Sequence, residues 1–339
     1  MAIVTAGENP SFDYYLAPRL ALNAAPPVDR FDLSASRRAR ESADWQGVFL
    51  LFCRYLSDGW LRTAQAHAGE LAGTGLFIDD DFEALAADKR NRWRYRWKLR
   101  RHGLHLWPKL TPRLQGLWVS TAPLAELWAR RPGAPVPRLT PPLADEEDLA
   151  STPSRPQRPL IGLHATSSHG ADQRWLGPVV REVLAADPRV DFEVVADPGR
   201  DRLWRGEPRI RVIPYRSWPA YRADTAAHGR DLLLAPLQPG PANAARAYVK
   251  RIDAARCGAA LMVSDSAIFQ VSPGEVTLGM VAPLEASAWV KGVLGLIGDE
   301  ARRQSLIDLN REKLTVARRA ASALFEPEAA GMDGTWRAI

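Results

Sequence analysis

Two sets of side chains in this sequence have the types and spacing to do chemistry. Asp79-Asp80-Asp81 follow directly on the apolar run Leu76-Phe77-Ile78. Three adjoining carboxylates can hold a divalent ion, supply a general base or cap a helix starting at Phe82. Crowding raises their pKa values, which suits a base, and capping accounts for only one of the three. The second set is Asn243, Arg246, Lys250 and Asp253. At about 100° per residue these fall on one stripe of a helix read over 243–256. Ala245, Tyr248, Val249, Ile252 and Ala255 lie opposite. Asn is an N-cap type, and the free N–H groups of a helix start, with two cations beside them, suit an anion. A half-exposed amphipathic helix with charge pairs one turn apart shows the same spacing.

Each set stands beside apolar runs of strand length. Residues 47–54, GVFLLFCR, read as a buried parallel strand, 57–71 as a helix and 76–78 as a second strand. In this βαβ unit the polar residues gather at the carboxyl ends of the strands, where open α/β sheets place their ligands. A strand at 2–5, a helix carrying Tyr14, Tyr15, Leu16 and Leu20, a strand at 114–121 and a helix at 123–130 complete the first half. In the second half strands are expected at 160–164, 190–196, 210–215, 232–237, 259–263 and 276–281. Helices alternate with them and two more, 284–297 and 299–324, close the chain. The fold class is therefore α/β with two doubly wound, Rossmann-like domains. The expected division is 1–140, a Pro-rich acidic linker at 141–158, a second domain at 159–325 and a tail at 326–339.

The chain has 339 residues, a net charge of +6 and two cysteines. That length favours two cores over one. The excess positive charge allows nucleic acid, an anionic membrane or a phosphorylated ligand, and selects none of them. Cys53 and Cys257 are too few and too far apart for a disulfide framework or a metal knuckle. No apolar run is long enough to span a membrane, and MAIVTAGENP carries no secretory signal, so a cytoplasmic protein is expected. The most extreme local composition is KRNRWRYRWKLRR at 89–101. Trp93 and Trp97 keep helical spacing among Arg92, Arg94 and Arg96. Such a stretch can lie on an anionic membrane, grip polyphosphate or stack single-stranded nucleic acid; it can also be a solvated helix whose Trp residues pack on their own domain.

Several segments, in this order, resemble bacterial GT-B glycosyltransferases of families 1 and 4, of the surface-polysaccharide cluster type. Asp253-Ala-Ala-Arg-Cys257-Gly258-Ala-Ala-Leu-Met-Val-Ser264-Asp265 is similar to their Glu-Ala-x-Ala-Cys-Gly-x-Pro-Val-Val-Ala-Ser segment. Ala235-Pro-Leu with Asn243-x-x-Arg246-x-x-x-Lys250 is similar to the stretch before it. Thr166-x-x-His169-x-x-Asp172 resembles the opening of their donor domain. Ile78-Asp79-Asp80-Asp81 and Trp118-Val-Ser-Thr121 with Leu124 resemble stretches of the acceptor domain.

The resemblance implies two domains facing a cleft and metal-independent transfer from a nucleotide-diphosphate sugar to a glycan or lipid-linked acceptor, in cell-surface polysaccharide synthesis. No cofactor beyond that co-substrate, no metal and no nucleic-acid partner are expected. It implies that Asn243, Arg246 and Lys250 hold the diphosphate, the two cations stabilising the leaving group. Asp253 stands where the family holds the nucleotide ribose; Thr166, His169 and Asp172 line the donor; Asp79 or Asp80 faces the acceptor as base. Arg92, Trp93, Arg94, Arg96 and Trp97 form a surface toward the acceptor or the inner face of an anionic membrane. The sequence departs from the pattern in three places. Ala245 replaces the first acid of a Glu pair, Asp replaces Glu at 253, and Ala260 replaces Pro. These leave the stereochemistry open and admit a non-catalytic GT-B-like protein that binds a nucleotide, glycan or partner.

Overall fold

The computed structural model describes residues 1–22, 27–165, 169–196 and 202–324. They form two compact units. The first comprises Met1–Leu143 together with Ala244–Ala247 and the chain end from Ala321; the second comprises Ala144–Asn243 and Tyr248–Ala320.

The first unit is built on six parallel strands: β1 Ala2–Thr5, β2 Asp29–Asp32, β3 Phe49–Cys53, β4 Gly73–Ile78, β5 Gly116–Val119 and β6 Arg138–Leu139. Their order is β2-β1-β3-β4-β5-β6. Every residue of β1, β3, β4 and β5 is buried. This follows from their continuous apolar runs, since helices cover both faces of a parallel sheet. Gly75 lets the layers close: a Cβ there would meet the Trp118 ring at 2.6 Å and the Phe49 ring at 2.8 Å. The sequence reading missed the edge strands β2 and β6, because DRFD and a two-residue RL carry no apolar run. Strand order reverses between β1 and β3, so the crevice of this sheet opens at the carboxyl ends of those two strands.

The second unit also has six parallel strands: β7 Leu160–His164, β8 Asp191–Ala196, β9 Ile210–Pro214, β10 Leu232–Ala235, β11 Ala260–Ser264 and β12 Val281–Ala282. The order β12-β11-β10-β7-β8-β9 is doubly wound, with its reversal between β7 and β10. Its core runs from Leu176, Val180 and Val183 of the helix Gly170–Ala186 through Leu232, Leu234 and Met262 to Trp289 and Val293.

Three expectations change. Of the expected strand at 276–281, Val276 and Thr277 end the helix Pro273–Thr277, a turn follows, and Val281 alone is strand, in β12. Ser272 and Glu275 form a reciprocal capping box with Pro273 inside the first turn, and this local bonding outweighs the apolar residues downstream. The expected helix over 243–256 is two pieces, Pro241–Ala244 and Val249–Arg256. The residues between are not helical, and the Thr121 hydroxyl donates to the Ala245 carbonyl at 2.9 Å. That tertiary contact overrides the helical period. Finally, 141–158 is not free chain. Asp145 caps the helix Glu146–Ala150, Asp148 is buried against Arg256 at 2.9 Å, and Ser154 bridges to His228.

Candidate active site

The carboxyl end of β4 carries Asp79, Asp80 and Asp81, and the structure gives each a different task. Asp81 is the cap: its carboxylate accepts from the Ala84 N–H at 2.9 Å and starts the helix Phe82–Ala87. Asp79 is 8% exposed. Its backbone carbonyl accepts from the Ser120 hydroxyl at 3.0 Å, which fixes the loop to the end of β5. Asp80 is only slightly more open.

Between them lies Arg54, the residue that ends the 47–54 run and that the sequence reading passed over. Its Nη1 donates to Asp79 Oδ2 at 3.0 Å and to Ser11 Oγ at 2.9 Å, and its Nη2 donates to Asp80 Oδ2 at 2.9 Å. Arg54 Nε and Asp79 Oδ1 are 3.0 Å apart but misaligned; both are buried, and neither has a hydrogen-bond partner among the described residues. Arg54 has φ +69°, in the left-handed region, directly after the last residue of β3. That backbone costs a non-glycine residue about 1 kcal/mol or more and persists only where the surroundings enforce it. The signal that could have found Arg54 was available: a charged residue directly beyond a buried strand, at the same sheet end as Asp79.

The electrostatics follow from crowding in a dry place. Burial pushes Asp79 up to about 6; Arg54 and a hydrogen bond from Ser11 pull it down, and Asp80 pushes it further up. Arg54 is held well above its ordinary value; burial alone would lower it, and Asp79 and Asp80 more than offset that. Burial likewise raises the phenols of Tyr15, Tyr55 and Tyr95 around the cluster. Burial thus makes Asp79 hold its proton up to about 6, above an ordinary aspartate, while Arg54 is shared between it and Asp80 and Arg246 Nη1 lies near Asp80. A carboxylate of that kind can accept a proton from a hydroxyl and hand it on.

The second set does not form one stripe. Arg246 belongs to the first unit, where its Nη1 lies 3.9 Å from Asp80 Oδ1. Lys250 belongs to the second, near the start of the helix Val249–Arg256, and its Nζ donates to Asp253 Oδ2 at 2.8 Å. Asp253 is 1% exposed, with Arg256 Nη2 on its other oxygen at 2.5 Å. The carboxylate of Asp253, for which the resemblance implies a ribose role, faces inward here and ties the helix to Arg256. Asn243 is not the cap of that helix. It lies in the short helix Pro241–Ala244, and its Nδ2 donates to the Gln238 carbonyl at 2.8 Å.

At the strand reversal of the second unit, Asp172 joins the two sides. Its Oδ2 pairs with His169 Nδ1 at 2.9 Å and its Oδ1 accepts from the Gln238 N–H at 2.8 Å. Asp172 is 2% exposed, so it positions His169 and the turn after β10 and presents no surface of its own. Thr166 lies outside the described residues. His164 is buried, with Glu193 and Tyr221 each 3.0 Å from a ring nitrogen, and is fully engaged in that network. Among the described residues no cluster of His, Cys, Asp and Glu is arranged to hold a metal ion.

The basic stretch forms the helix Trp93–Leu99. Trp93 and Trp97 are 68% and 56% exposed, the Trp97 ring standing edge-on to His102 at 6.3 Å. Arg92 and Arg94 are exposed too. Arg96 is not part of that outward face, since its Nε donates to the Ala86 carbonyl at 2.9 Å and ties the helix to its neighbour.

No protein-family model and no curated protein sequence matches the chain. Solved structures do. One is described as TarM, at TM-score 0.54 and 10% identity, over 78% of this chain and 51% of that one. Another is a point mutant of S. aureus TarM in complex with fondaparinux, α-GlcNAc-glycerol and UDP, at TM-score 0.52 and 9% identity, over 79% of this chain and 52% of that one. A third is the pneumococcal O-GlcNAc transferase GtfA with UDP and GlcNAc, at TM-score 0.50 and 14% identity, over 84% of this chain and 59% of that one. The chain thus spans about half the length of these structures.

Proposed function

We propose, on the premise of a GT-B glycosyltransferase fold with two sheets of six parallel strands and interleaved helices, that the protein moves a sugar from a nucleotide-diphosphate donor to a hydroxyl of a glycan or lipid-linked acceptor. The observation that carries the reading is the buried Arg54–Asp79–Asp80 cluster at the carboxyl ends of β3 and β4, which supplies a carboxylate raised to about 6. Support for the donor class comes from neighbours whose structures hold UDP.

In this reading Asp79 takes the proton of the acceptor hydroxyl as its oxygen attacks the anomeric carbon. The bond from that carbon to the diphosphate oxygen breaks, and the electron pair leaves with the diphosphate. Lys250 and Arg246 are the cations offered to that leaving group, each exchanging its present carboxylate for phosphate oxygens; His169, held by Asp172, and Asn243 line the donor. The transfer needs no metal, and its setting is surface-polysaccharide synthesis in the cytoplasm.

A panel of UDP-, GDP- and dTDP-sugars tests this by thermal shift and donor breakdown. A donor present at about 100 times its Kd should add nearly 3 kcal/mol of stability. Arg246→Ala with Lys250→Ala should abolish turnover, and wild-type turnover in that double variant would remove the assigned diphosphate site. Nucleotide binding without breakdown of any donor would favour the non-catalytic alternative, which the inward-facing Asp253 and the Ala at 245 motivate.

Exposed Trp93 and Trp97, one turn apart beside Arg92 and Arg94, further support contact with an anionic membrane that would carry a lipid-linked acceptor. No helix among the described residues is long and apolar enough to cross one.

A further inference from the structure

Asp79 Oδ1 is a buried carboxylate oxygen with no hydrogen bond among the described residues, 3.0 Å from a guanidinium N–H that is misaligned for one. Leaving such an atom unmade costs about 1–3 kcal/mol, more for a charged group, so its persistence needs a reason. The other three carboxylate and hydroxyl contacts of Arg54 are well made, to Asp79 Oδ2, Asp80 Oδ2 and Ser11 Oγ. The Arg54 backbone is held in place as well: its N–H donates to the Phe77 carbonyl at 2.9 Å despite the left-handed φ.

We infer that Arg54 is a positioning residue that gives the two neighbouring carboxylates different jobs. Its fork holds Asp80 through Nη2 and Asp79 Oδ2 through Nη1, and turns Asp79 so that Oδ1 is left for an incoming O–H. The inference rests on the transfer reading above for the identity of that O–H, but the division of the two carboxylates does not. The geometry accounts for three things together: the strained backbone at 54, the well-made bonds to Asp79 Oδ2 and Asp80, and the single orphaned oxygen. A simple buried salt bridge would use the guanidinium edge on both oxygens of one carboxylate.

The groups that face Asp79 come from several elements. Arg54 and Cys53 are at the end of β3, and Asp80 is on its own loop. Ser11 and Tyr15 belong to the N-terminal helical segment, Tyr55 follows Arg54, and Tyr95 lies on the basic helix, with Arg246 beyond Asp80. Arg54 makes hydrogen bonds to both carboxylates. Removing its charge leaves two crowded acids in a buried place, so Asp79 should hold its proton more tightly.

The test reads the carboxyls directly. Aspartate labelled with ¹³C at the side-chain carboxyl is titrated by NMR in the full chain, with Asp79→Asn for assignment. In the wild type the Asp79 signal should titrate about two pH units above an ordinary aspartate. In Arg54→Gln it should move up by about a further unit or more. Arg54→Lys, which keeps the charge but not the fork, should give a smaller upward move and serves if the glutamine variant fails to fold. In parallel, the acidic limb of the pH–rate profile should shift upward with the NMR titration. An Asp79 signal that titrates like an ordinary aspartate, or that does not move in either folded variant, overturns the inference. If the signal moves as expected and no nucleotide-sugar is broken down at any pH, the division of the carboxylates stands and the transfer reading falls.

Discussion

Asp79 shows how much chemistry depends on a few ångströms of context. Three identical side chains in a row become a base candidate, a paired anion and a helix cap because burial, Arg54 and a free helix N–H act on them separately. A stability consequence follows, with a definite sign. The folded-state pKa of Asp79, about 6, lies above the ordinary 3.8. The folded protein therefore binds this proton more tightly, and the resulting stabilisation is complete below the ordinary value and lost as pH rises through 6. Asp79→Asn has no charge to bury. Its stability relative to the wild type should improve between about pH 4 and about pH 7.5, by on the order of 1–3 kcal/mol, in urea melts at both values. Donor turnover should meanwhile fall by about 10²-fold or more, the usual scale for removing a general base. A variant whose relative stability does not change with pH would show that Asp79 is not the group held protonated.

At the scale of elements, the sequence was most legible where a strand is a continuous apolar run buried on both faces, as in β3, β4, β7 and β10. It was least legible where local or tertiary bonding outbids periodicity. The polar stripe over 243–256 followed the helical period well, yet the chain leaves the helix between Ala244 and Val249. The carboxylates of the site were readable because they end a strand; Arg54 was equally placed and was overlooked because it was counted into the apolar run. The helix Pro273–Thr277 illustrates the energetics of such local bonding. Glu275, 1% exposed, accepts from Arg251 Nη1 at 2.6 Å, from Arg251 Nη2 at 3.2 Å and from the Ser272 N–H at 2.8 Å. Glu275→Gln strips Arg251 of its buried counter-charge and should cost about 3–5 kcal/mol in denaturant unfolding. The exposed tryptophans should behave in the opposite way. Trp93→Ala with Trp97→Ala should change stability by no more than about 0.5 kcal/mol per site. The same variant should lose flotation with liposomes containing anionic lipid, and undiminished flotation would sink the membrane role.

Across the whole molecule, both sheets are entirely parallel and both place polar clusters at the carboxyl ends of their strands. The alternation of β and α units made this architecture visible from sequence, since parallel strands need crossovers and crossovers here are helical. The contents of each cluster were less visible, because they depend on residues brought together from distant positions. Ser11, Arg54 and Asp79 meet in the first unit, and Asp172 and Gln238 in the second. The first unit has one further property. Its compact body takes in Ala244–Ala247, where Thr121 holds the Ala245 carbonyl, and the chain end, where Arg19 Nη1 donates to the Ser322 carbonyl at 3.0 Å. A stretch of gene and a folding body are therefore not the same object here. A stop codon after residue 143 would leave Thr121 and Arg19 each without a contact supplied from more than a hundred residues downstream. Exchange of halves between related genes would have to carry those two downstream patches along with the first 143 residues.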